Sequence, residues 1–217
     1  MKKINVAIDG PAASGKSSIS KNIADKLNFL YINTGLVYRS FAYLLKIHNY
    51  EINSSLVNKL KKHEIQLLKN EITLIDGKKE FENLRKEEIG ILASKISSII
   101  EIRKYAVKIQ QKASSKGNVI MDGRDTTFRI LPNAQVKIYL DSSSEIRANR
   151  RYLQLKGTKN ESKYDDILKQ IKTRDFRDKN REIDPLHISK DSIYIDSSNI
   201  SIKEVEKIIY NLIKEAE

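Results

Sequence analysis

The run Asp9-Gly10-Pro11-Ala12-Ala13-Ser14-Gly15-Lys16-Ser17-Ser18 constrains this chain more than any other stretch. Ahead of it stands Lys3-Ile4-Asn5-Val6-Ala7-Ile8, a short apolar run of the buried-strand kind. Behind it Ile19, Ile23, Ala24 and Leu27 recur at helical spacing. Strand, glycine-bounded loop and helix is the setting in which G-x-x-x-x-G-K-[ST] acts as a phosphate-binding loop. Gly10 and Gly15 let successive N–H groups turn toward phosphate oxygens, and the helix adds its positive end. Pro11, Ala12, Ala13, Ser14 and Ser18 complete the cradle. Lys16 is expected to reach the β- and γ-phosphates, and Ser17 to offer its hydroxyl to Mg²⁺. The loop marks a nucleoside triphosphate site.

The length, 217 residues, allows one sizeable domain with a small insert. No apolar run approaches the roughly 20 residues of a membrane helix. Met1-Lys2-Lys3 resembles a secretory n-region, but Asp9 breaks the apolar run that follows, so a signal peptide is not expected. The absence of cysteine excludes disulfides and thiolate metal sites and fits a reducing cytosol. The net charge of +12 raises nucleic acid as a partner. The lysines are scattered, as a compositional bias would leave them, whereas eight of the eleven arginines fall between positions 124 and 181. Clustered planar forks in a lysine-preferring chain favour an acidic small substrate over a nucleic-acid surface.

Along the chain, Phe29-Leu30-Tyr31-Ile32 reads as a second strand, leading into a helix from Asn33-Thr34-Gly35 to about Ile47. Asn33 or Thr34 is the expected cap. Thr34, Tyr38 and Arg39 at that helix mouth could grip a second ligand, although a plain cap with a solvated Arg39 would leave the same pattern. Asn53 to Lys62 reads as a short helix, and Glu64–Leu68 with Glu71–Ile75 as a hairpin. Lys86 to Lys116 is helical, carrying Ser94 and Arg103. Asn118-Val119-Ile120-Met121 is a buried parallel strand delivering Asp122-Gly123-Arg124-Asp125 at its C-terminal end, where ligands bind in open α/β sheets. Gln135–Leu140 is another strand, and the helix from Ser144 bears Arg147, Arg150 and Arg151 at spacings of three and four. Gly157-Thr158-Lys159-Asn160 breaks it. A second charged helix, Tyr164 to about Asp178, places Arg174, Asp178 and Arg181 on one face. Such a hairpin is either a lid over phosphates or a solvated face laced with ion pairs. Ser192–Asp196 is the last strand. Ser201–Glu217 is a closing helix with Ile202, Val205, Ile208, Ile209 and Leu212 facing inward.

Four blocks together resemble the bacterial cytidylate kinases: I-D-G-P-A-A-S-G-K-S-S, N-T-G-L-V-Y-R at 33–39, D-G-R-D at 122–125 with L-P-N-A-Q-V-K-I-Y-L-D after it, and R-D-F-R-D-K-N-R-E-I-D-P-L at 174–186. The hairpin at about 63–85 matches the insert characteristic of that family. The resemblance implies an α/β fold: a three-layer phosphate-loop core around a parallel sheet, with a small antiparallel insert and a helical lid. It implies one domain over 1–217, with a monophosphate-binding insert at about 48–90 and a lid at about 150–174. The implied reaction is transfer of the ATP γ-phosphoryl group to CMP or dCMP with Mg²⁺, by a cytoplasmic monomer. Thr34, Tyr38 and Arg39 would line the monophosphate site, Ser94 would contact cytosine, and Arg103, Arg124 and Asp125 would hold base and sugar. Arg174 and Arg181 would contact phosphate, Asp178 the pentose, and Arg150 and Arg151 would belong to the lid over ATP. Lys16, Arg124, Arg174 and Arg181 form the implied catalytic set.

The chain departs from the family at Asn33, where Asp is usual, and at Thr126-Thr127-Phe128-Arg129, where a Gly-Thr pair is usual. A GTPase would need N-K-x-D, and Asn58-Lys59-Leu60-Lys61 lacks the Asp. Kinases of UMP, AMP or shikimate share the core but not the hairpin or the last block.

Overall fold

The computed structural model describes residues 3–158 and 161–217; Met1, Lys2, Lys159 and Asn160, on which parts of the leader and helix-break readings rest, lie outside them. Five strands form the central sheet: β1 (Asn5–Asp9), β2 (Leu30–Asn33), β6 (Val119–Gly123), β7 (Val136–Asp141) and β8 (Ile193–Asp196). Their order is β2-β6-β1-β7-β8, every pairing parallel. The smaller sheet is antiparallel and holds β3 (Ile65–Leu67), β4 (Thr73–Ile75) and β5 (Lys78–Glu80).

The helices are α1 (Lys16–Leu27), α2 (Gly35–Ile47), α3 (Leu56–Leu60), α4 (Glu82–Arg85), α5 (Glu87–Ile96), α6 (Ile100–Ser114), α7 (Ser144–Leu155), α8 (Tyr164–Asn180) and α9 (Ile202–Ala216). The pleat sorts the central strands between two cores. Val6, Ile8 and Ile120 pack with Ile19 and Ile23 of α1 and Val205, Ile209 and Ile213 of α9. Ala7, Val119 and Met121 face Val37 and Phe41 of α2, Ile89 of α5, and Ile102 and Ala106 of α6. The result is the expected three-layer α/β/α core. Because both faces are covered, a strand such as β6 opens on a continuous apolar run, Val119-Ile120-Met121.

The apolar runs end together at one edge, so Asp9, Asn33, Asp122 and Asp141 collect at the C-terminal rim. This is the rim where ligands bind in open α/β sheets.

Four local expectations change. The hairpin gains a third strand, β5, because Asp76 (φ 51°) and Gly77 (φ 75°) make a tight turn whose following residues, Lys78-Lys79-Glu80, are too polar to read as a strand. The helix expected over 86–116 is two, α5 and α6, parted at Ser97-Ser98-Ile99, where Ser97 and Ser98 return their hydroxyls to the carbonyls of Ser94 and Lys95. The short helix is confined to Leu56–Leu60. In α9, Ile202 and Ile208 are each 42% exposed, and the inward stripe is Val205, Ile209 and Ile213.

No helix among the described residues is long and apolar enough to cross a membrane.

Candidate active site

The loop between β1 and α1 is held in a conformation that depends on its glycines. Gly15 opens α1 at φ 90°, and a Cβ on Gly10 would collide with the Leu140 carbonyl oxygen of β7. Lys16 is almost wholly buried and donates from Nζ to the Pro11 carbonyl at 2.8 Å. Burial pushes its pKa down, and the nearby Arg124 pushes it further, against the pull of Asp122. Ser14 Oγ is buried in the loop with no hydrogen-bond partner among the described residues. A buried hydroxyl without a partner is the feature that a bound phosphate oxygen would satisfy.

Ser17 Oγ donates to Asp122 Oδ2 at 2.8 Å, and Tyr31 OH donates to the other oxygen at 2.7 Å. Burial raises the Asp122 pKa, opposed by Lys16 and these two donors. A serine hydroxyl beside a carboxylate at a strand end is the oxygen donor pair that holds Mg²⁺ in phosphate-loop enzymes, and it fits a hard cation that keeps several waters.

Two further side chains brace the loop. Arg147 of α7, buried, donates to the carbonyls of Ala12 (2.8 Å) and Ser142 (2.7 Å) and pairs with Asp175 of α8 at 2.7 Å. Asp175 in turn accepts from the Ala12 N–H at 3.2 Å. The α7–α8 hairpin is thus bolted directly to the phosphate loop. Under the loop, the wholly buried Asp9 accepts from the N–H groups of Thr126 and Thr127 (2.9 and 2.8 Å) and from the Thr127 hydroxyl (2.7 Å).

Facing the loop is a ring of cations. Arg124 Nε pairs with Asp178 Oδ2 at 2.8 Å, and Arg174 Nε lies 3.9 Å from the same oxygen. Arg124 and Arg174 both act on Lys16. Repulsion from Arg124, then burial, brings the Arg174 pKa down to about 10, with Arg39 and Arg177 adding to the strain. Like charges crowded around few carboxylates suit the binding of anionic groups.

Beyond the ring, Arg103 of α6 is 2% exposed and pairs closely with Asp125, with Asp184 Oδ2 at 3.3 Å, the Ser97 carbonyl at 3.0 Å and the Tyr38 ring 5.8 Å away. Arg181 stands 3.8 Å from Asp125. Thr34 Oγ1 donates to the Asp122 carbonyl at 2.9 Å, and Asn33 Oδ1 takes the Gly35 N–H at 3.0 Å, so the capping bond of this turn comes from Asn33. Ser94 Oγ accepts from Arg177 at 2.8 Å.

Arg39 reaches across to the Leu84 carbonyl at 2.7 Å, passing over Gly90, whose missing Cβ would lie 2.8 Å from Arg39 Nη2. The obstructed atom is the end of a flexible side chain. Gly90→Ala should therefore leave the melting temperature level or higher, since alanine favours the helix by about 0.5–1 kcal/mol. It should also displace the guanidinium and raise the apparent KM for the monophosphate several-fold, as steady-state kinetics would show. A lower melting temperature with unchanged KM would contradict this role for Arg39.

Most of the expected site residues thus meet on one rim: Lys16, Ser17, Thr34, Tyr38, Arg39, Ser94, Arg103, Arg124, Asp125, Arg174, Asp178 and Arg181. Ser18 is exposed at the start of α1. Arg150 turns to the Ser197 carbonyl at 2.6 Å, after β8. Arg151 lies exposed on α7, joined to none of the others among the described residues. Arg147, which spacing aligns with both, faces inward instead.

Sequence reasoning missed Asp9, Arg147, Asp175 and Asp184 as parts of the site, and gave Asp122 no role. Only Asp122 carried a usable signal, a carboxylate closing a buried strand. Each of the others also has a partner far away in the chain, such as Ala12 for Arg147, that spacing does not reveal.

The family model described as cytidylate kinase matches residues 6–215. The chain belongs to the cytidylate kinase family. The cytidylate kinase of Caldicellulosiruptor saccharolyticus is 43% identical over 219 residues, covering 98% of this chain and 96% of that protein. That of Mycoplasmopsis synoviae is 44% identical over 215 residues, covering 98% and 99%. Among solved structures, an uncharacterized protein from Eubacterium ventriosum superposes with a TM-score of 0.57 at 14% identity, covering 99% of both chains, which speaks to the fold alone. The class implied by the resemblance of the four sequence blocks, an ATP-dependent kinase of the cytidylate family, is the class of this chain.

Proposed function

We propose that this protein transfers the γ-phosphoryl group of ATP to CMP or dCMP, giving ADP and CDP or dCDP, as a cytoplasmic monomer. The observation that carries it is the gathering of Arg124 and Arg174 near Lys16 of the phosphate loop, in which the buried Ser14 hydroxyl has no partner among the described residues. Such a gathering suits two phosphate groups brought together against their own repulsion. In the reaction an oxygen of the CMP phosphate attacks the γ-phosphorus, and the bond from that phosphorus to the bridging oxygen of ADP breaks. The attacking oxygen is already ionised, so no general base is assigned.

The chain's residues position and neutralise. The loop backbone of Gly10–Ser18 and Lys16 take the ATP phosphates. Ser17 and Asp122 would hold Mg²⁺, which supplies countercharge to the β- and γ-oxygens when bound. Thr34, Tyr38 and Arg39 take the acceptor phosphate, Ser94, Arg103 and Asp125 the base and sugar, and Asp178 the pentose. Arg124, Arg174 and Arg181 converge on the transferred group. Residues 48–90 form the insert beside the acceptor. The hairpin at 150–174, with Arg150 and Arg151, closes over ATP to exclude water, which would otherwise take the phosphoryl group.

Ser94→Ala tests the acceptor pocket. Losing one hydrogen bond should raise the KM for CMP by up to about tenfold, with the KM for ATP unchanged. Equal losses for both nucleotides would make Ser94 a structural residue and move the base pocket elsewhere.

A further inference from the structure

Asp184 occupies an unusual place. It follows α8, precedes Pro185, and has φ 47°, in the left-handed region. Residues before proline are driven to extended conformations, and left-handed backbone is sparsely populated by anything but glycine and, less so, Asn and Asp. Local rules broken in this way are found where function holds the backbone.

What the residue touches supplies the function. Its backbone carbonyl accepts from both Nε (2.7 Å) and Nη2 of Arg181. Its carboxylate accepts from Nε of the buried Arg103 at 3.3 Å and stands 3.7 Å from Nε of Arg129. One residue thus engages three arginines, two of which belong to the acceptor pocket.

Arg129 belongs to the stretch in which the chain departs from its family, and the rest of that stretch serves the same end. Thr127 is anchored on Asp9 (2.7 Å), and Phe128 packs against His187 with ring centroids 4.1 Å apart and ring planes tilted by 33°. From the other side, the Leu186 N–H donates to the Asp178 carbonyl at 2.8 Å. Residues 181–187 are therefore strapped between the turn at 126–130 and the end of α8.

We propose that Asp184 is a positioning residue for the acceptor nucleotide. Its carboxylate, steadied by Arg129, fixes the orientation of Arg103 in the base pocket, while its carbonyl sets the resting place of Arg181. Without that carboxylate, Asp125 would be the one carboxylate still paired with Arg103. Arg103 would then have one anionic partner instead of two, and Arg129 none among the described residues. The inference rests on the acceptor-site reading above.

Two substitutions separate the two halves of the residue. Asp184→Asn keeps the left-handed backbone, which asparagine tolerates, and removes the charge. Asp184→Gly keeps the backbone and its carbonyl and removes the side chain. Both should raise the KM for CMP about tenfold, the scale of one lost charge-assisted hydrogen bond, with the KM for ATP and kcat within about twofold. Arg129→Met should give a smaller rise, and adding it to Asp184→Asn should give less than the product of the two effects. Wild-type turnover with CMP, run alongside, tests the site reading separately. With that turnover present, an unchanged KM for CMP in both Asp184 variants overturns the positioning role. So does a parallel rise for CMP and ATP, which would mark a merely structural residue.

Discussion

Lys16→Met should lower turnover by about 10³-fold, the scale of a charged group that neutralises a transferring phosphoryl, while the nucleotide-free protein melts no lower than the parent. The second half of that expectation comes from the sign of the lysine's perturbation. Its native pKa lies below the 10.5 of a free lysine, with burial the leading cause. The protonated form is therefore less favoured in the folded than in the unfolded chain. That charge costs stability at every pH below its native pKa, and the cost fades as pH rises toward the unfolded value.

Methionine fills the same space without a charge. The Pro11 carbonyl loses its 2.8 Å donor, and Asp122 loses a cation but keeps Ser17 and Tyr31. Activity and stability should accordingly move in different directions. Steady-state kinetics and thermal unfolding without nucleotide read the two. A large drop in melting temperature would show that Lys16 supports the fold and that the lost activity follows from unfolding.

Arg181→Ala should lower kcat by about 10³-fold, the lower end of what an arginine directed at a transferring phosphoryl group supplies, with the fold intact. Arg181 caps α8, rests on the Asp184 carbonyl and stands 3.8 Å from Asp125, so its guanidinium is held at the pocket without being locked into the core. Burial and the charge of Arg103 both lower its pKa, the mark of a cation placed where it is not fully compensated. Removing it should therefore cost little stability. A variant with near-normal kcat would take Arg181 out of the catalytic set. One with normal kcat and a raised KM for CMP would make it a binding residue only.

The sequence carried the core of this account because that core is local. Strand, glycine loop and helix occupy one unbroken segment, and the apolar runs of β6 and β7 could be nothing but buried strands. Asp122 was read at the C-terminal end of its strand for the same reason, although without a role. Spacing gave the axial neighbours of Arg147 but not its direction. Only tertiary contact with Ala12 and Asp175 shows that it faces the loop while Arg151 faces solvent. The third strand of the insert went unread because Lys78-Lys79-Glu80 is paired by its turn and its neighbour's hydrogen bonds, not by apolar alternation.

The departure at Thr126–Arg129 had no legible direction in sequence. Thr127 reaches Asp9, 118 positions away, and Phe128 reaches His187 across about half that span. Thr127, Phe128 and Arg129, standing where a Gly-Thr pair is usual in the family, are anchors on Asp9, His187 and Asp184. Asn33, read as a lost charge, closes the turn into α2 through the Gly35 N–H.

The central claim is the identity of the acceptor. The direct measurement is ADP production from ATP with Mg²⁺ in parallel reactions containing CMP, dCMP, UMP, AMP or shikimate. The account predicts strong turnover with CMP or dCMP and little with AMP or shikimate. Preferred turnover with AMP or shikimate, or none with any acceptor while ATP still binds, would contradict it.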